Sequence, residues 1–162
     1  ASQYAVAFVQ YGLVDSWLTF LGAPYVLYYP DFPLRKLARK LVKKLKKLAR
    51  VWQLQKRLGA VEQVPLSEYV DNLHQVIVSA PKTRFILVAT APNLDEPRNP
   101  RIKVYNEALA RIAESHDNVM YVDVYEDIWA HRDLTLMEDG THLTAAGHER
   151  IAAKIISVLK QG

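Results

Sequence analysis

Apolar positions along the chain switch between a short run and a period of 3.6. Tyr4 to Tyr11 (YAVAFVQY) is a β-branched and aromatic run that stops at Gly12, the pattern of a buried strand. Arg84 to Thr90 (RFILVAT) and Val119 to Val124 (VMYVDV) repeat it. Helical spacing begins at Leu34, and Leu34, Leu37, Ala38, Leu41, Val42, Leu45, Leu48, Ala49 and Trp52 share one stripe. Pro33 and Gly59 punctuate that helix, predicted over 34–58. A second helix is predicted from Ser67, as N-cap, to about Ala80, carrying Tyr69, Leu73, Val76 and Ile77, with Pro81 as its stop. A third covers Ile102 to Ser115 with Val104, Ala108, Leu109 and Ile112 inward. Thr144 predicts the N-cap of a last helix through Leu159, with Ile151, Ala152, Ile155 and Leu159 inward. The stretches 18–33, 91–101 and 125–141 read as loops.

Apolar strands alternating with helices of this length imply an α/β fold, a three-layer sandwich with a parallel sheet covered on both faces. Residues 1–162 read as a single domain, with the helix at 34–58 as an insertion. Sites in such sheets form at the carboxyl ends of the strands. The segments 12–16, 91–93 and 125–143 all follow strand ends, so they are expected at one edge.

Half of the 162 residues are hydrophobic, enough for one core. The absence of cysteine excludes disulfides, thiolate metal sites and a cysteine nucleophile. No apolar run approaches about 18 residues, so no membrane span is expected. No basic segment precedes an apolar run at the start, so no signal peptide is expected either. The compartment stays open, with the cytoplasm favoured. The net charge of +4 hides an asymmetry: from Arg35 to Arg57 there are eleven Lys/Arg and no Asp/Glu, against ten basic and seventeen acidic residues elsewhere. Such a helix has three uses. It lies on an anionic membrane surface, it binds nucleic acid or an acidic protein partner, or it covers the core and leaves its basic face in water. Its apolar face also suits a homodimer contact.

Asp139-x-x-His142 is the leading candidate for chemistry. A carboxylate that accepts the imidazole Nδ1–H fixes the tautomer and leaves Nε2 to take a proton from a hydroxyl or water. The same spacing also fits a hydrogen-bonded loop ahead of a helix. Ser16 follows a strand and is a candidate nucleophile, or simply a serine in the first turn after that strand. Asp139, His142 and His148 match no zinc spacing, and no metal or cofactor is expected. Asp95, Glu96, Arg98 and Arg101 either line a cleft or sit in solvent. Tyr25, Tyr28, Tyr29 and Phe32 form an aromatic loop suited to an acyl chain or to packing.

The stretch DGTHLTAAGHERIAAKI resembles the last block of the SGNH (GDSL-type) hydrolases, where an Asp-x-x-His loop precedes the C-terminal helix. In order, YAVAFVQYGLVD resembles that family's third strand and Gly-x-Asn-Asp block, VDNLHQVIVSAPKTRFILVATAP its next helix and fourth strand, and VYNEALARIAESHDNVMYVDVYEDI the following helix and fifth strand. The resemblance implies a flavodoxin-like fold and serine-dependent hydrolysis of a small-molecule ester or acyl substrate. His142 would then be the base and Asp139 its orienting partner. It places Gly12, Val14 and Asp15 at the oxyanion edge of the site, but with Val14 where the family has an asparagine donor. The Gly-Asp-Ser block that carries the family's nucleophile is absent from these residues. The expectation is therefore an esterase that is truncated, with its N-terminal strands missing, or inactive. The three remaining strands would present an edge for a missing N-terminal segment, a swapped homodimer or another subunit. The rival is a non-catalytic binding module that works through the basic helix.

Overall fold

The computed structural model describes residues 4–20, 32–52 and 59–161. Their order is β1 (Val6–Val9), β2 (Leu18–Phe20), α1 (Pro33–Val51), β3 (Ala60–Glu62), α2 (Leu66–Ser79), β4 (Arg84–Val88), a 3-10 turn (Glu96–Arg98), α3 (Asn99–Glu114), β5 (Val119–Val122), α4 (Tyr125–Ala130), α5 (Arg132–Thr135) and α6 (Ala145–Gln161). Ala1–Trp17 with Val64–Gly162 forms one compact unit, and Leu18–Gln63 forms a second. The tyrosines Tyr25, Tyr28 and Tyr29 and the predicted helix end at 53–58 lie outside the described residues.

In the larger unit the sheet order is β1-β4-β5, and both pairings are parallel. β4 is central, which explains its unbroken apolar run: each face meets a helical layer. Phe85 and Leu87 point to one side, where Tyr69, Leu73 and Ile77 of α2 meet Tyr105, Leu109 and Ile112 of α3. Ile86 and Val88 point to the other, against Val122, Ile128, Leu136 and Ile151. The three-layer α/β arrangement thus follows the predicted alternation of strand and helix.

β1 differs from the buried strand that its composition predicts. Phe8 stands in register with Ile86, so its side chain shares that second face, yet it is 57% exposed and Val6 is 40% exposed. The helical layer on this face covers β4 and β5 and stops short of β1. On its outer side β1 pairs with no strand among the described residues. Only Ala7 and Val9, on the opposite face, pack into the core.

Two predicted core positions, Val104 and Ala152, face water. In α2 the narrow buried stripe is Tyr69, Leu73 and Ile77, and the exposed Val76 lies one residue, about 100° around the helix, from Ile77. Val104 stands in the same relation to Tyr105; α3 instead buries Ile102, Tyr105, Asn106 and Leu109. α2 begins at Leu66 behind Pro65, not behind Ser67: the Tyr69 N–H donates to the Pro65 carbonyl (2.9 Å), placing Ser67 inside the first turn. The predicted loop at 125–141 contains α4 and α5, each too short to show a period. Thr135 joins them through its buried hydroxyl, which donates to the Ile128 and His131 carbonyls (both 3.0 Å).

The smaller unit contains the antiparallel pair β2–β3, with Leu18 opposite Glu62, and the helix α1. Segments of three residues carry too little pattern to be read as strands, which is why 18–20 and 60–62 escape sequence reading. Along α1, Leu34, Leu37, Leu41, Leu45 and Trp52 are exposed. No helix of the described residues is long and apolar enough to cross a membrane.

Candidate active site

The loop ahead of α6 is a tight reversal. The Met137 N–H donates to the His142 carbonyl (2.8 Å), the Gly140 N–H donates to the Met137 carbonyl (2.8 Å), and Leu136 bridges Leu143. Gly140 sits at φ +71°, where side chains are strained, and a Cβ there would lie 2.8 Å from Leu94 Cβ. Thr144 then starts α6: its Oγ1 accepts from the Gly147 N–H (3.2 Å), as an N-cap should.

This reversal turns Asp139 back onto its own loop. Oδ1 accepts the N–H groups of Thr141 (2.9 Å) and His142 (3.0 Å), and Oδ2 meets His142 Nδ1 at 2.5 Å. The backbone N–H of His142, its ring and the Thr141 N–H together pull the Asp139 carboxyl down to about 2. An ionised carboxylate can only accept, so Nδ1 carries the hydrogen. In the neutral ring Nε2 then holds a lone pair, and it has no hydrogen-bond partner among the described residues. The imidazole is 72% exposed.

The loop is held to the sheet by a residue that sequence reading passes over. Asn93, only 1% exposed, follows β4, and its Nδ2 donates to Thr141 Oγ1 (3.1 Å). Its Oδ1 accepts the Asp95 N–H (2.8 Å), and its backbone is clasped by the Asn99 amide. Next to it the Leu94 N–H donates to the Gly140 carbonyl (3.0 Å). The available signal was an asparagine directly after a buried strand, in the segment expected at the site edge.

The Gly12–Ser16 turn stands beside it, at the end of β1. Thr90 Oγ1 and Tyr69 Oη both donate to the Tyr11 carbonyl (2.8 and 3.0 Å), and burial pushes the Tyr69 phenol above its usual range. A Cβ on Gly12 would lie 2.8 Å from Thr90 Oγ1, which explains a glycine at φ +123°. Within the turn the Gly12 N–H donates to Asp15 Oδ2 (2.9 Å). Ser16 is 2% exposed and its hydroxyl donates to the Leu13 carbonyl (2.8 Å). Val14 presents an apolar, 51% exposed side chain that donates nothing. The structure therefore brings Asp139 and His142 together, and it places Gly12, Val14, Asp15 and Ser16 in a turn bonded within itself.

The remaining polar candidates are elsewhere. Arg98 pairs with Asp95 (2.7 Å) and stacks 4.6 Å over the Trp17 ring. His131 lies beside the Asp127–Arg150 ion pair, and His74 meets His116 ring to ring. A shallow depression lined by Lys103, Asn106, Tyr121 and Tyr125 does not include Asp139 or His142. Among the described residues no three His, Asp or Glu side chains cluster as a metal site requires.

Comparison with known proteins follows this geometry. The family model of the GDSL-like lipase/acylhydrolases matches residues 5–150. Among solved structures, an acetylxylan esterase from Geobacillus stearothermophilus superposes with a TM-score of 0.59 at 17% identity, over 94% of this chain and 58% of its own. A Streptococcus pneumonia structure named for a platelet activating factor gives 0.52 at 24% identity, over 59% of this chain and 52% of its own. The esterase domain of the ORF1 protein of the zebrafish ZfL2-1 retrotransposon gives 0.50 at 20% identity, over 59% of this chain and 57% of its own. At these identities the likeness establishes the fold. The chain spans a little over half the length of the structures it matches. No curated protein sequence matches significantly.

Proposed function

Since the chain belongs to the GDSL-like lipase/acylhydrolase family, we propose that it carries the acid–base half of an ester-hydrolysing site, with His142 as base and Asp139 as its orienting partner. The observation that carries this reading is the 2.5 Å contact between Asp139 Oδ2 and His142 Nδ1, in a loop that leaves Nε2 exposed. In the reaction a serine oxygen adds to the ester carbonyl and its proton passes to His142 Nε2. The tetrahedral adduct expels the alcohol, which takes that proton. Water then enters the acyl-enzyme by the same proton path in reverse.

The attacking serine is supplied by a segment outside these 162 residues. Ser16 is unsuited, because its hydroxyl is buried and its proton is donated to the Leu13 carbonyl. The edge of β1 that pairs with no strand among the described residues, with Val6 and Phe8 exposed beside it, is the seat for that segment. The Gly12 N–H is already given to Asp15 and the Val14 side chain carries no donor, so side-chain stabilisation of the oxyanion falls to the added segment. The substrate is a small ester.

Labelling of the native full-length polypeptide with a fluorophosphonate, followed by peptide mapping, tests this. The label is expected on a serine outside these residues and is expected to vanish in His142→Ala. Labelling of Ser16, or labelling that survives His142→Ala, overturns the reading.

A further inference from the structure

We propose that α1 docks the protein on an anionic lipid surface. The inference rests on the charge and exposure of this helix alone and stands or falls independently of the ester-hydrolysis reading.

At 100° per residue, Leu34, Leu37, Ala38, Leu41, Val42, Leu45, Leu48 and Trp52 occupy a continuous arc of about 140°. A helix that covers a core buries such an arc. Here Leu34 is 81% exposed, Leu37 57%, Leu41 55%, Leu45 50%, Leu48 38% and Trp52 63%. Five leucines and a tryptophan in one exposed line exceed the scattered apolar residues of an ordinary surface.

The rest of the helix circumference identifies the occupant. Lys36, Arg39, Lys40 and Lys43 fill the opposite arc, and Arg35 and Lys44 stand at its two borders with the apolar arc. From Arg35 to Arg57 no acidic residue interrupts the eleven cations. A hydrophobic arc bordered by cations matches a bilayer interface. The leucines enter the acyl boundary, and the lysine stems reach back to lipid phosphates. Trp52, at the end of the line, is the residue type that settles at headgroup depth. An acidic protein or a nucleic acid would engage the cations and leave the leucines in water. A second copy of α1 would bring nine cations against nine, which a self-association through this face does not compensate. The acidic balance of the other residues keeps attraction to the lipid confined to this helix.

Co-sedimentation of the full chain with phosphatidylcholine vesicles, with and without one-third phosphatidylglycerol, provides the test. Binding to the phosphatidylglycerol vesicles is expected to be at least about tenfold tighter than to pure phosphatidylcholine. A blue shift of tryptophan emission that Trp52→Phe removes is expected to accompany it. Leu37→Glu combined with Leu41→Glu is expected to abolish binding. Lys40→Gln with Lys43→Gln and Lys44→Gln is expected to weaken it several-fold, and serves as the deciding variant if the first does not fold. Equal binding to both vesicles overturns the proposal. So does anion binding that survives the leucine substitutions, which would point to RNA or an acidic protein. A leucine-dependent dimer with no lipid binding also overturns it.

Discussion

The Gly12–Ser16 turn and the 137–143 loop stand at the same edge of the sheet, and each contains an aspartate close to a second polar side chain. In the first, Asp15 accepts its own turn's N–H from Gly12, and the Ser16 hydroxyl gives its single proton to Leu13. In the second, Asp139 likewise accepts two N–H groups of its own loop. Its partner is an imidazole, which has two nitrogens: one is tied to the carboxylate and the other is left over. The contrast shows why an aspartate and a hydroxyl at a strand end do not make a reactive pair. A group used to close a turn is not available to a substrate unless it has a second valence pointing outward.

Substitutions can break this comparison, and the largest effect is expected at His142. In the nucleophile-bearing protein His142→Ala should lower kcat on the order of a million-fold, whereas Ser16→Ala should leave it within about twofold. Steady-state hydrolysis of p-nitrophenyl acetate measures both, and equal losses would erase the distinction between the two turns. Asp139→Asn should cost about 10⁴ in kcat with little change in KM, because the amide no longer holds the required tautomer.

Gly140→Ala should lower stability by about 1–3 kcal/mol, from the positive φ and the encounter with Leu94, read as a shift of the urea midpoint. Ser16→Ala should cost less, about 1 kcal/mol, the worth of one buried hydrogen bond. Acid provides the finest test. The Asp139 carboxyl is lowered from 3.8 to about 2, so folding favours its ionised form. The stabilisation is complete above the ordinary carboxylate range and is lost as pH falls through about 2. The Tm difference between the wild type and Asp139→Asn should therefore hold steady from about pH 8 to 5 and shrink below about pH 4. A gap that widens in acid would mean that Asp139 is not held by these donors.

Much of the larger unit was legible in the sequence because β4 and the helices obey single-body patterns. RFILVAT is apolar throughout since both of its faces are covered, and that requires no knowledge of which helices cover it. The Asp139–His142 pair was legible because its partners are three residues apart and one glycine-containing reversal joins them. β1 was misread as buried: its composition matches that of β4, and only the extent of the neighbouring layer separates them. Asn93 was missed because its partners include Thr141, 48 residues away, and no local spacing encodes that distance.

The sequence by itself determined the alternation of strands and helices, the charge asymmetry of residues 35–57 and the local hydrogen bonding around Asp139. These depend on interactions within a few residues, where periodicity and turn chemistry act directly. Only the tertiary structure decided which strand is central, that the Ser16 hydroxyl is sealed in its own turn, that Val6 and Phe8 lack cover and that the leucine line of α1 remains exposed. Burial is a property of what arrives from elsewhere in the chain, and an apolar residue carries the same letter whether or not anything arrives.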